Sequence, residues 1–570
     1  MTSTNARMFL WLGLVLALWI NYETYQRDYA APPPTTVSQS VTQPSVAATT
    51  TGSLSETIPE ATQTSPAPAD NAASANNASA IPANPVVAGA AGTVRVLTDV
   101  LDLEISLQGG DLVRADLLKY PRIKGEAPRV RLFNTNPSEF YVLQTGLTDA
   151  SAAARPTHLA RFSTAQTSYE LGEANELRVP LSWTEETQGV TDTKTLVFRR
   201  GNYRVDLLYD IENRSETPWT AASYAQLLRN DVPIERSMFS VESYAFQGPA
   251  YYDGTKYHKL DREDPEDRSL ARDIAGGWLA GMQHHFVTAI VPTAGEAYRY
   301  TLRTDGNQYL LSSAGPAVTV PAQGGASLTE TLFVGPKLQA QLSTTGPRLD
   351  LVADYGILTL LAQPLFWLLE QAHTLTANWG WSIVIVTFLL KLLFYPLSES
   401  SGKSMARMRV LAPRMKNLQE TYKDDREKLG RAMMDLYKRE KINPLAGCLP
   451  ILIQMPVFFA FYWVLLESVE MRQAPFLLWI QDLSSRDPFF VLPVIMAGAM
   501  FVQYKLNPTP PDPIQAKVFM ILPFVMSATF AFFPSGLVLY WVVNTLLTIL
   551  QQWNINRRIE AEAKKARATS

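Results

Sequence analysis

Four long apolar runs dominate the C-terminal third of the 570-residue chain. A helix needs about 20 mostly apolar residues to cross the hydrocarbon core of a bilayer. These runs lie at 379–397, 449–466, 489–504 and 518–550. As one helix the last run would be about 50 Å long, well beyond a core of about 30 Å. Because Pro534-Ser535-Gly536 interrupts it, we predict two spans joined by a tight turn there, and five spans in this part of the chain.

A further apolar run lies at the N-terminus, where residues 8–20 are apolar and Arg7 precedes them. A cleaved signal peptide is one interpretation of such a run. However, residues 21–28 are bulky and polar and place no small residues close behind the apolar stretch. We therefore predict an uncleaved signal anchor over residues 1–29, which brings the expected number of spans to six.

The chain between these membrane segments has two parts that differ in composition and residue pattern. Residues 30–91 are rich in Ala, Pro, Thr, Ser and Asn, a composition that cannot bury enough apolar surface to offset chain entropy. We predict a disordered linker there. Residues 92–350 carry short segments that alternate polar and apolar residues between turn signals, which is typical of a large all-β sandwich.

Individual strands can be identified in this β region. Residues 101–107 alternate with period two, and Gly109-Gly110 follows as a turn signal. Similar short strand-like runs recur at 195–198, 203–207 and 286–291. His284-His285 is expected within a strand, where adjacent side chains face opposite ways, so the sequence disfavours a metal site shared by the two histidines.

Positive charge around the predicted spans indicates the topology. The loop at 399–442 and the tail at 554–570 are both rich in Lys and Arg, and such segments remain in the cytoplasm. With six spans and both termini in the cytoplasm, the loop and the tail both lie in the cytoplasm and the β domain lies on the other side. With five spans, the basic tail would lie outside the cytoplasm. Within 351–377, we interpret the segment 357–369 as an amphipathic helix on the membrane surface, ahead of a core at 378–553.

Lys391 is the outlier of the second predicted span, which contains no acidic residue. A lysine near mid-bilayer costs about 2.5–3.5 kcal/mol on insertion scales, so it should face a bundle interior or water. Thr387, four residues earlier, lies on the same helical face. Snorkelling is the alternative, because only about 9 Å of helix separates Lys391 from the cytoplasmic end. We favour a polar cavity that opens to the cytoplasm.

Polar side chains in other spans could face this lysine. Gln454 interrupts the third span, Gln503 lies near the end of the fourth, and one face of the last span carries Tyr540, Asn544, Thr548 and Gln551. In lipid such groups usually form hydrogen bonds between helices, so helix packing alone remains an alternative explanation for the stripe.

The basic loop also has an apolar periodicity of three and four residues. The recurring positions are Met405, Met408, Leu411, Met415, Leu418 and Tyr422, and then Leu429, Met433, Leu436 and Tyr437. We predict a helical hairpin over 399–442 with one apolar seam and solvated basic outer faces. The candidate contact residues on these faces are Arg407, Arg409, Arg414, Lys416, Lys438 and Arg439.

The sequence lacks the residues and motifs that several kinds of chemistry require. Cys448 is the one cysteine of the sequence, which excludes an internal disulfide framework and a Cys-rich zinc site. The sequence has no P-loop motif, and a net charge of −3 provides no basic excess for binding nucleic acid along the chain. We predict a protein that is not an enzyme, holds no cofactor or metal, and binds no nucleic acid sequence-specifically.

Several motifs together resemble the YidC-type membrane protein insertases of Gram-negative bacteria. In the predicted spans and their loops they are Asn378-Trp379-Gly380, Tyr395-Pro396-Leu397, and the segments at 443–450, 452–456, 472–476 and 533–541. Residues 98–103 and 109–111 are also similar to the family's periplasmic domain. The likeness extends from the predicted anchor to the basic tail.

The resemblance implies a mixed fold: a polytopic α-helical membrane bundle of six spans, five of which form the conserved core, and a large periplasmic β-supersandwich domain. It implies an insertase and chaperone for inner-membrane proteins, acting alone or with the Sec translocon through a hydrophilic groove. The implied partners are nascent membrane proteins, the Sec translocon, membrane lipids and the ribosome, which would meet the basic hairpin and the tail.

The resemblance also assigns residues to the groove. The family's groove arginine falls at Lys391, which keeps the positive charge but not the bidentate geometry of a guanidinium. A tyrosine that is frequent in the final span falls at Trp541. The expected groove residues are Lys391, Thr387, Gln454, Tyr540, Trp541 and Asn544.

Two other classes of function remain possible from the residues alone. A secondary transporter usually shows internal repeats and intramembrane acidic or paired charges, and this sequence has one lysine without a repeat. A membrane-anchored periplasmic sugar-binding protein is the other class, because large β-sandwiches often serve that purpose. Fold alone does not decide function, and no acid–base pair stands out at 92–350.

Overall fold

The structure is a computed structural model that describes residues 53–61, 92–148, 155–185, 189–231, 245–422, 425–440, 449–507 and 513–569. The chain divides into two compact units. The β unit comprises Thr51–Thr359 and Trp463–Ala474, and the helical unit includes Leu360–Tyr462 and Pro475–Ser570. Several predicted features lie outside the described residues, namely the anchor at 1–29, the linker except 53–61, the motif at 443–448 with Cys448, and the loop residues Lys423 and Lys441.

The strands of the β unit account for most of the region at 92–350. In chain order they are β1 (Thr93–Leu97), β2 (Leu101–Ser106), β3 (Leu112–Pro121), β4 (Arg129–Arg131), β5 (Tyr141–Thr148), β6 (Ser168–Glu170), β7 (Glu176–Glu185), β8 (Val190–Arg199), β9 (Arg204–Asn213), β10 (Trp219–Asn230), β11 (Gly248–Tyr252), β12 (Tyr257–Lys259), β13 (Ala271–Ala275), β14 (Trp278–Met282), β15 (Phe286–Val291), β16 (Ala297–Asp305), β17 (Gln308–Ala314), β18 (Val318–Val320) and β19 (Gly324–Pro336). Two short helices belong to this unit, α1 (Pro265–Arg268) and α2 (Gln339–Thr345).

Within the described residues these strands form an 11-stranded and an 8-stranded sheet. The larger sheet has the order β13-β16-β17-β10-β5-β3-β2-β1-β6, with β18 beside β10 and β4 beside β3, and the smaller has the order β12-β11-β14-β15-β19-β9-β8-β7. Side chains from both sheets, such as Val96, Leu103, Leu207 and Ile290, form one apolar core. The predicted β-sandwich is confirmed.

The strand predictions fit at 101–107, 195–198, 203–207 and 286–291, but the prediction for His284-His285 is wrong. The two histidines lie in the turn between β14 and β15, where the Gln283 amide donates to the Phe286 carbonyl oxygen at 2.9 Å. In this turn their rings stack at 3.8 Å instead of facing opposite ways. Among the described residues, no group of three or more His, Cys, Asp or Glu could hold a metal ion.

The predicted turn at Gly109-Gly110 is confirmed, and both positions require glycine. Their φ angles are 78° and 63°, in the left-handed region that residues with a Cβ rarely adopt. A Cβ on Gly109 would lie 2.4 Å from the His158 carbonyl oxygen, and one on Gly110 would lie 2.9 Å from Lys194 Nζ. The turn is thus packed directly against a buried lysine.

Strand β8 points two charged residues into the sandwich core, Asp192 and Lys194, and both are fully buried. Lys194 Nζ donates to the carbonyl oxygens of Gly109 at 2.7 Å and Thr145 at 3.0 Å. Asp192 has no hydrogen-bond partner for either carboxylate oxygen within the described residues. Burial raises the pKa of Asp192 to about 8 and lowers the pKa of Lys194 to about 8.

A second buried charge holds the segment Trp463–Ala474, which belongs to the β unit. Lys337 Nζ lies 3.7 Å from Glu467 Oε2, with the side chains 1% and 3% exposed. Nearby, Arg472 donates to the Pro121 carbonyl oxygen at 3.0 Å, and Val469 is part of the sandwich core. An ion pair and apolar burial therefore fix this segment together.

The helical unit consists mainly of helices. They are α3 (Thr359–Thr376), α4 (Trp379–Leu393), α5 (Tyr395–Thr421), α6 (Arg426–Arg439), α7 (Leu449–Glu467), α8 (Val491–Leu506), α9 (Pro513–Phe530) and α10 (Ser535–Thr569). No one helix in the described ranges combines the length and the apolar composition of a membrane span, whereas α4 and α5 do so jointly across a bend of 69°.

The run at 379–397 is shorter as a helix than predicted, because α4 ends at Leu393 and α5 begins at Tyr395. Pro396 lies in the first turn of α5. A proline there has no N–H to donate and its ring clashes with the preceding turn, so a continuous helix is broken. The first helix of the predicted hairpin accordingly begins before residue 399.

The predicted break at 534–536 is confirmed, because α9 ends at Phe530 and α10 begins at Ser535. The Ser535 hydroxyl donates to the Asp482 carbonyl oxygen at 2.8 Å, and the Gly536 amide donates to that of Leu483 at 2.9 Å. These bonds anchor the start of α10. The helix then continues through the predicted tail to Thr569 without a break.

We expect the buried Asp192 to make stability fall as pH rises. Its folded pKa of about 8 lies above the usual value of 3.8, so the folded state retains a proton that the unfolded chain has released. The unfolding free energy should therefore decrease between about pH 4 and pH 8. At ~1.4 kcal/mol per pH unit the decrease amounts to about 4 kcal/mol between pH 5 and pH 8, and Asp192→Asn should remove most of it. The fall in melting temperature of the detergent-solubilised chain from pH 5 to pH 8 should accordingly be smaller in the variant.

The matched control is Glu212→Gln, because the Glu212 side chain is 63% exposed on a neighbouring strand. This control should keep the pH dependence of the native chain. If Asp192→Asn and the native chain lose stability equally between the two pH values, the buried carboxyl group is not the cause.

We expect Lys337→Met to destabilise the β unit by ~3–5 kcal/mol, because it leaves the Glu467 carboxylate buried without its cation. The double substitution Lys337→Met/Glu467→Leu removes both charges and should recover most of this loss. Melting temperatures and protease cleavage within 463–474 measure both effects. A double variant as unstable as the single one would contradict the pairing.

Candidate hydrophilic groove

Five helices of the helical unit surround a cavity of about 310 Å³, which we call the groove. Helices α4, α5, α7, α8 and α10 contribute its lining, together with Asn507 just after α8. The lining residues are Lys391, Ser398, Ser401, Gly402, Met405, Gln454, Met455, Phe458, Met500, Gln503, Asn507, Tyr540, Trp541, Asn544, Thr545, Thr548, Gln551 and Gln552. Polar atoms from separate helices therefore converge on one space.

Lys391 lies in the last turn of α4 and is half-buried. The start of this helix is fixed by Asn378, whose side-chain oxygen accepts from the Trp381 amide at 3.1 Å. A cation is favoured at the C-terminal end of a helix by the unpaired carbonyl groups there. Lys391 forms no ion pair within the described residues, and its side chain lines the groove.

Gln454 and Asn544 join two helices across the groove. Gln454 Nε2 of α7 donates to Asn544 Oδ1 of α10 at 3.2 Å. A hydrogen bond between helices satisfies amide groups that would otherwise lie unpaired in an apolar setting. The two residues thus serve helix packing and a polar lining at the same time.

Tyr540 and Trp541 belong to an aromatic wall of the groove. The Tyr540 ring stacks on Phe461 at 4.7 Å, and the Trp541 ring meets Phe458 edge-on at 4.9 Å. Trp541 also contacts Phe530 at 5.1 Å. This wall gives the groove an apolar part, about one helical turn from the amides of Gln454 and Asn544 on the same two helices.

Thr387 is the one predicted groove residue that does not line the cavity. It is buried, and its hydroxyl donates to the Ile383 carbonyl oxygen of the same helix at 2.6 Å. Positions four apart on a helix differ in direction by about 40°, enough to turn Thr387 into the helix packing while Lys391 faces the cavity.

The sequence reasoning missed the contribution of α5 and of Gln552. Gln552 Nε2 donates to the Gly402 carbonyl oxygen at 3.3 Å and to Asn556 Oδ1 at 2.8 Å. A Cβ on Gly402 would lie 2.8 Å from Gln552 Oε1, so glycine permits this close approach. The small residues Ser398, Ser400, Ser401 and Gly402, interrupted only by Glu399, were the available signal.

The predicted helical hairpin with an apolar seam is confirmed in α5 and α6. Leu411 and Met415 are buried against Met408, Met433, Leu436 and Tyr437. Arg414 pairs with Glu440 across the hairpin at 2.9 Å. The predicted contact residues exposed on its surface are Arg407, Arg414, Lys416, Lys438 and Arg439, whereas Arg409 is half-buried and donates to the Leu506 carbonyl oxygen at 3.3 Å.

Two family models match this chain in consecutive parts. The model described as the YidC periplasmic domain matches residues 93–368, and the model described as the 60Kd inner membrane protein matches residues 371–563. The first match covers the strands of the β unit, and the second covers the helices that form the groove.

Similar proteins extend over nearly the whole chain. The membrane protein insertase YidC of Thioalkalivibrio sulfidiphilus is 43% identical over 98% of this chain and 100% of its own length. That of Pseudomonas putida is 46% identical over 92% of this chain and 94% of its own length. A crystal structure of an active YidC insertase covers 82% of this chain and 93% of its own, with 19% identity and a TM-score of 0.37. This chain belongs to the YidC family of membrane protein insertases.

Proposed function

We propose that this protein inserts proteins into the bacterial inner membrane and assists their folding, using the groove around Lys391 as the entry site. The observation that carries the proposal is a half-buried lysine without an ion pair in the described residues, on a cavity lined by amides, hydroxyls and aromatic rings. A lysine in such a position is rare and costs free energy, so its presence indicates a function.

The groove suits a substrate that has a polar tail followed by an apolar segment. Lys391 attracts the carboxylates of an acidic tail, and the amides of Gln454 and Asn544 replace part of its hydration. The aromatic wall of Tyr540 and Trp541 accepts the apolar segment. That segment then moves into lipid, driven by apolar burial of about 25 cal/mol per Å². No covalent bond changes, so the proposed activity is not enzymatic.

The proposal includes the orientation predicted from the sequence. The family is one of inner-membrane insertases with a periplasmic domain. We propose a multi-pass protein with six spans, both termini in the cytoplasm and the β domain in the periplasm. The basic residues of the hairpin and tail support this orientation, because Lys and Arg are retained on the cytoplasmic side.

The proposed partners follow from the same surfaces. Nascent membrane proteins are the substrates that an insertase implies. The exposed basic side chains of α5 and α6 suit the phosphates of ribosomal RNA, which bind Lys and Arg without reading sequence. We also propose that the protein cooperates with the Sec translocon. Lipids would contact the exposed apolar side chains of α3, which include Leu360, Trp367 and Leu375.

We expect Lys391→Ala to reduce insertion of single-span substrates with acidic tails by about tenfold, equal to ~1.4 kcal/mol of lost attraction. Lys391→Arg should retain insertion because it keeps the charge. A substrate with a neutral tail should be affected much less. The protease-protected fraction in reconstituted liposomes measures each case.

The control for this experiment is Lys505→Ala. Lys505 lies near the end of α8, with Nζ 5.3 Å from the centre of the Phe501 ring, and does not line the groove. It should leave insertion unchanged. Normal insertion by Lys391→Ala, under conditions in which the native protein is active, would refute the role of the groove charge.

We expect Arg407→Glu/Lys438→Glu to weaken ribosome binding about tenfold at low salt, because two exposed cations become anions. The loss should shrink as salt is raised, since screening removes such interactions. Asp435→Asn, an exposed acidic position on α6, is the control and should not weaken binding. Sedimentation with ribosomes over a salt series measures the effect; equal binding by the double variant would exclude the hairpin.

A further inference from the structure

A short piece of the predicted linker, residues 53–61, is described and packs on the β unit. It starts as a single 3₁₀ turn at Leu54–Glu56 and continues without helix or strand to residue 61. The chain on either side, 1–52 and 62–91, lies outside the described residues. The feature is therefore an isolated segment seated on a folded surface.

The surface beneath it is the outer face of three neighbouring strands of the larger sheet, β5, β10 and β17. Their inner face points into the sandwich core through Leu143, Leu227 and Leu311. The outward side chains are also buried, namely Val142, Gln144, Gln226, Leu228, Leu310 and Ser312. An antiparallel sheet usually leaves one face in water, so this outer face is covered.

Leu54 provides the apolar anchor of the segment. Its side chain is 8% exposed and packs with Val142, Leu228 and Leu310 in a cluster separate from the sandwich core. Ile58, four residues later, is 37% exposed. Leu54 and Pro59 of the segment are thus buried, whereas Ile58 is exposed to solvent.

Three buried side chains bind the backbone of the segment at alternate residues. His158 Nε2 lies 3.0 Å from the Ser55 carbonyl oxygen, Gln226 Nε2 donates to that of Thr57 at 3.1 Å, and Thr148 Oγ1 donates to that of Pro59 at 3.1 Å. Ser55 lies in the 3₁₀ turn and the backbone is extended at Thr57, so this row of donors fits a peptide that starts with one turn and continues extended.

The donors are held in place by the sheet itself. Gln226 Nε2 also donates to Gln144 Oε1 at 2.9 Å, and Gln226 Oε1 accepts from Ser312 Oγ at 3.3 Å. The Nδ1 atom of His158 lies 2.6 Å from the Tyr224 hydroxyl. Preorganised donors bind with a smaller loss of side-chain freedom, which is a property of a binding site.

We propose that this surface is a peptide-binding groove and that residues 53–61 are its tethered ligand, bound within the same chain. Recognition combines one apolar pocket for Leu54 with three hydrogen bonds to backbone oxygens. The 30 residues at 62–91 can span at most about 100 Å, ample for return to the same domain. Tethering gives a local concentration in the millimolar range, which favours the chain's own segment over that of a second copy.

Docking changes where the N-terminal part of the chain is attached to the β unit. The attachment point becomes Ser53 instead of Thr93. The tether to the predicted anchor then consists of residues 30–52, with a maximum reach of about 80 Å rather than about 200 Å for the whole linker. This consequence rests on the predicted anchor, whereas the binding itself does not.

The test uses the full chain in detergent with residues 53–61 replaced by Gly and Ser, and a fluorescent peptide of residues 51–63. The peptide should bind this variant saturably in an anisotropy titration and bind the native chain at least tenfold more weakly, because the native groove is occupied. Absence of saturable binding to the variant, or equal binding to both chains, would overturn the proposal.

Peptide variants provide a control that leaves the protein fold untouched. The Leu54→Asp peptide should lose binding, whereas the Ile58→Asp peptide should bind like the native one, since it places the same charge at an exposed position. Gln226→Ala in the replaced chain should weaken binding roughly 5- to 10-fold by removing one hydrogen bond. Equal binding of the two peptides would mean that Leu54 is not the anchor and would refute the proposed groove.

Crosslinking distinguishes the chain's own segment from that of a second copy. Leu54→Cys/Leu310→Cys, made in a Cys448→Ser background, is oxidised so that a disulfide can form between the two positions, which pack in one cluster. A product within single chains supports the proposal, and a covalent dimer as the main product would overturn binding within the same chain. Insertion activity is not read in any of these experiments, so their failure and that of the proposed function remain distinguishable.

Discussion

Removing a charge from water costs free energy unless other groups replace its hydration, and three lysines of this chain meet that constraint in different ways. Lys194 is fully buried and donates to the carbonyl oxygens of Gly109 and Thr145. Lys337 is buried beside Glu467. Lys391, without an ion pair in the described residues, faces a polar cavity. Groups of the protein itself replace the lost hydration of Lys194 and Lys337, and these two charges help to specify packing. For Lys391, part of the lost hydration is left for an incoming molecule to replace.

The position of that open cavity follows from one backbone break. Pro396 ends α4 at Leu393 and turns the chain by 69° into α5. Lys391 therefore occupies the last turn of a helix, where a cation is favoured. Because α5 leaves at this angle, Ser398 and Ser401 line the same space as Lys391. A single proline thus supplies both the favourable helix end for the lysine and the polar neighbours around it.

Sequence reasoning succeeds where a period repeats and where a breaker residue is strong. The seam of Leu411 and Met415, the β-sandwich and the break at 534–536 all follow from such signals. It fails at the ends of elements, as for His284-His285, because a short turn leaves no periodic trace. It predicts that Lys391, Gln454 and Asn544 share a site but cannot exclude Thr387, since helix rotation depends on neighbouring helices that the sequence does not specify.

The segment 53–61 shows the limit of arguments from composition. Averaged over residues 30–91, a low apolar content means that the linker cannot fold on its own. Docking on a folded surface needs less apolar area than folding alone. The β unit already supplies His158, Gln226 and Thr148 as donors, and the segment contributes backbone oxygens and the buried Leu54 and Pro59. Leucine is rare in this linker. The average composition of the linker therefore does not predict that Leu54 is buried on the sheet. A segment unable to fold alone can therefore still have one defined place on a folded surface.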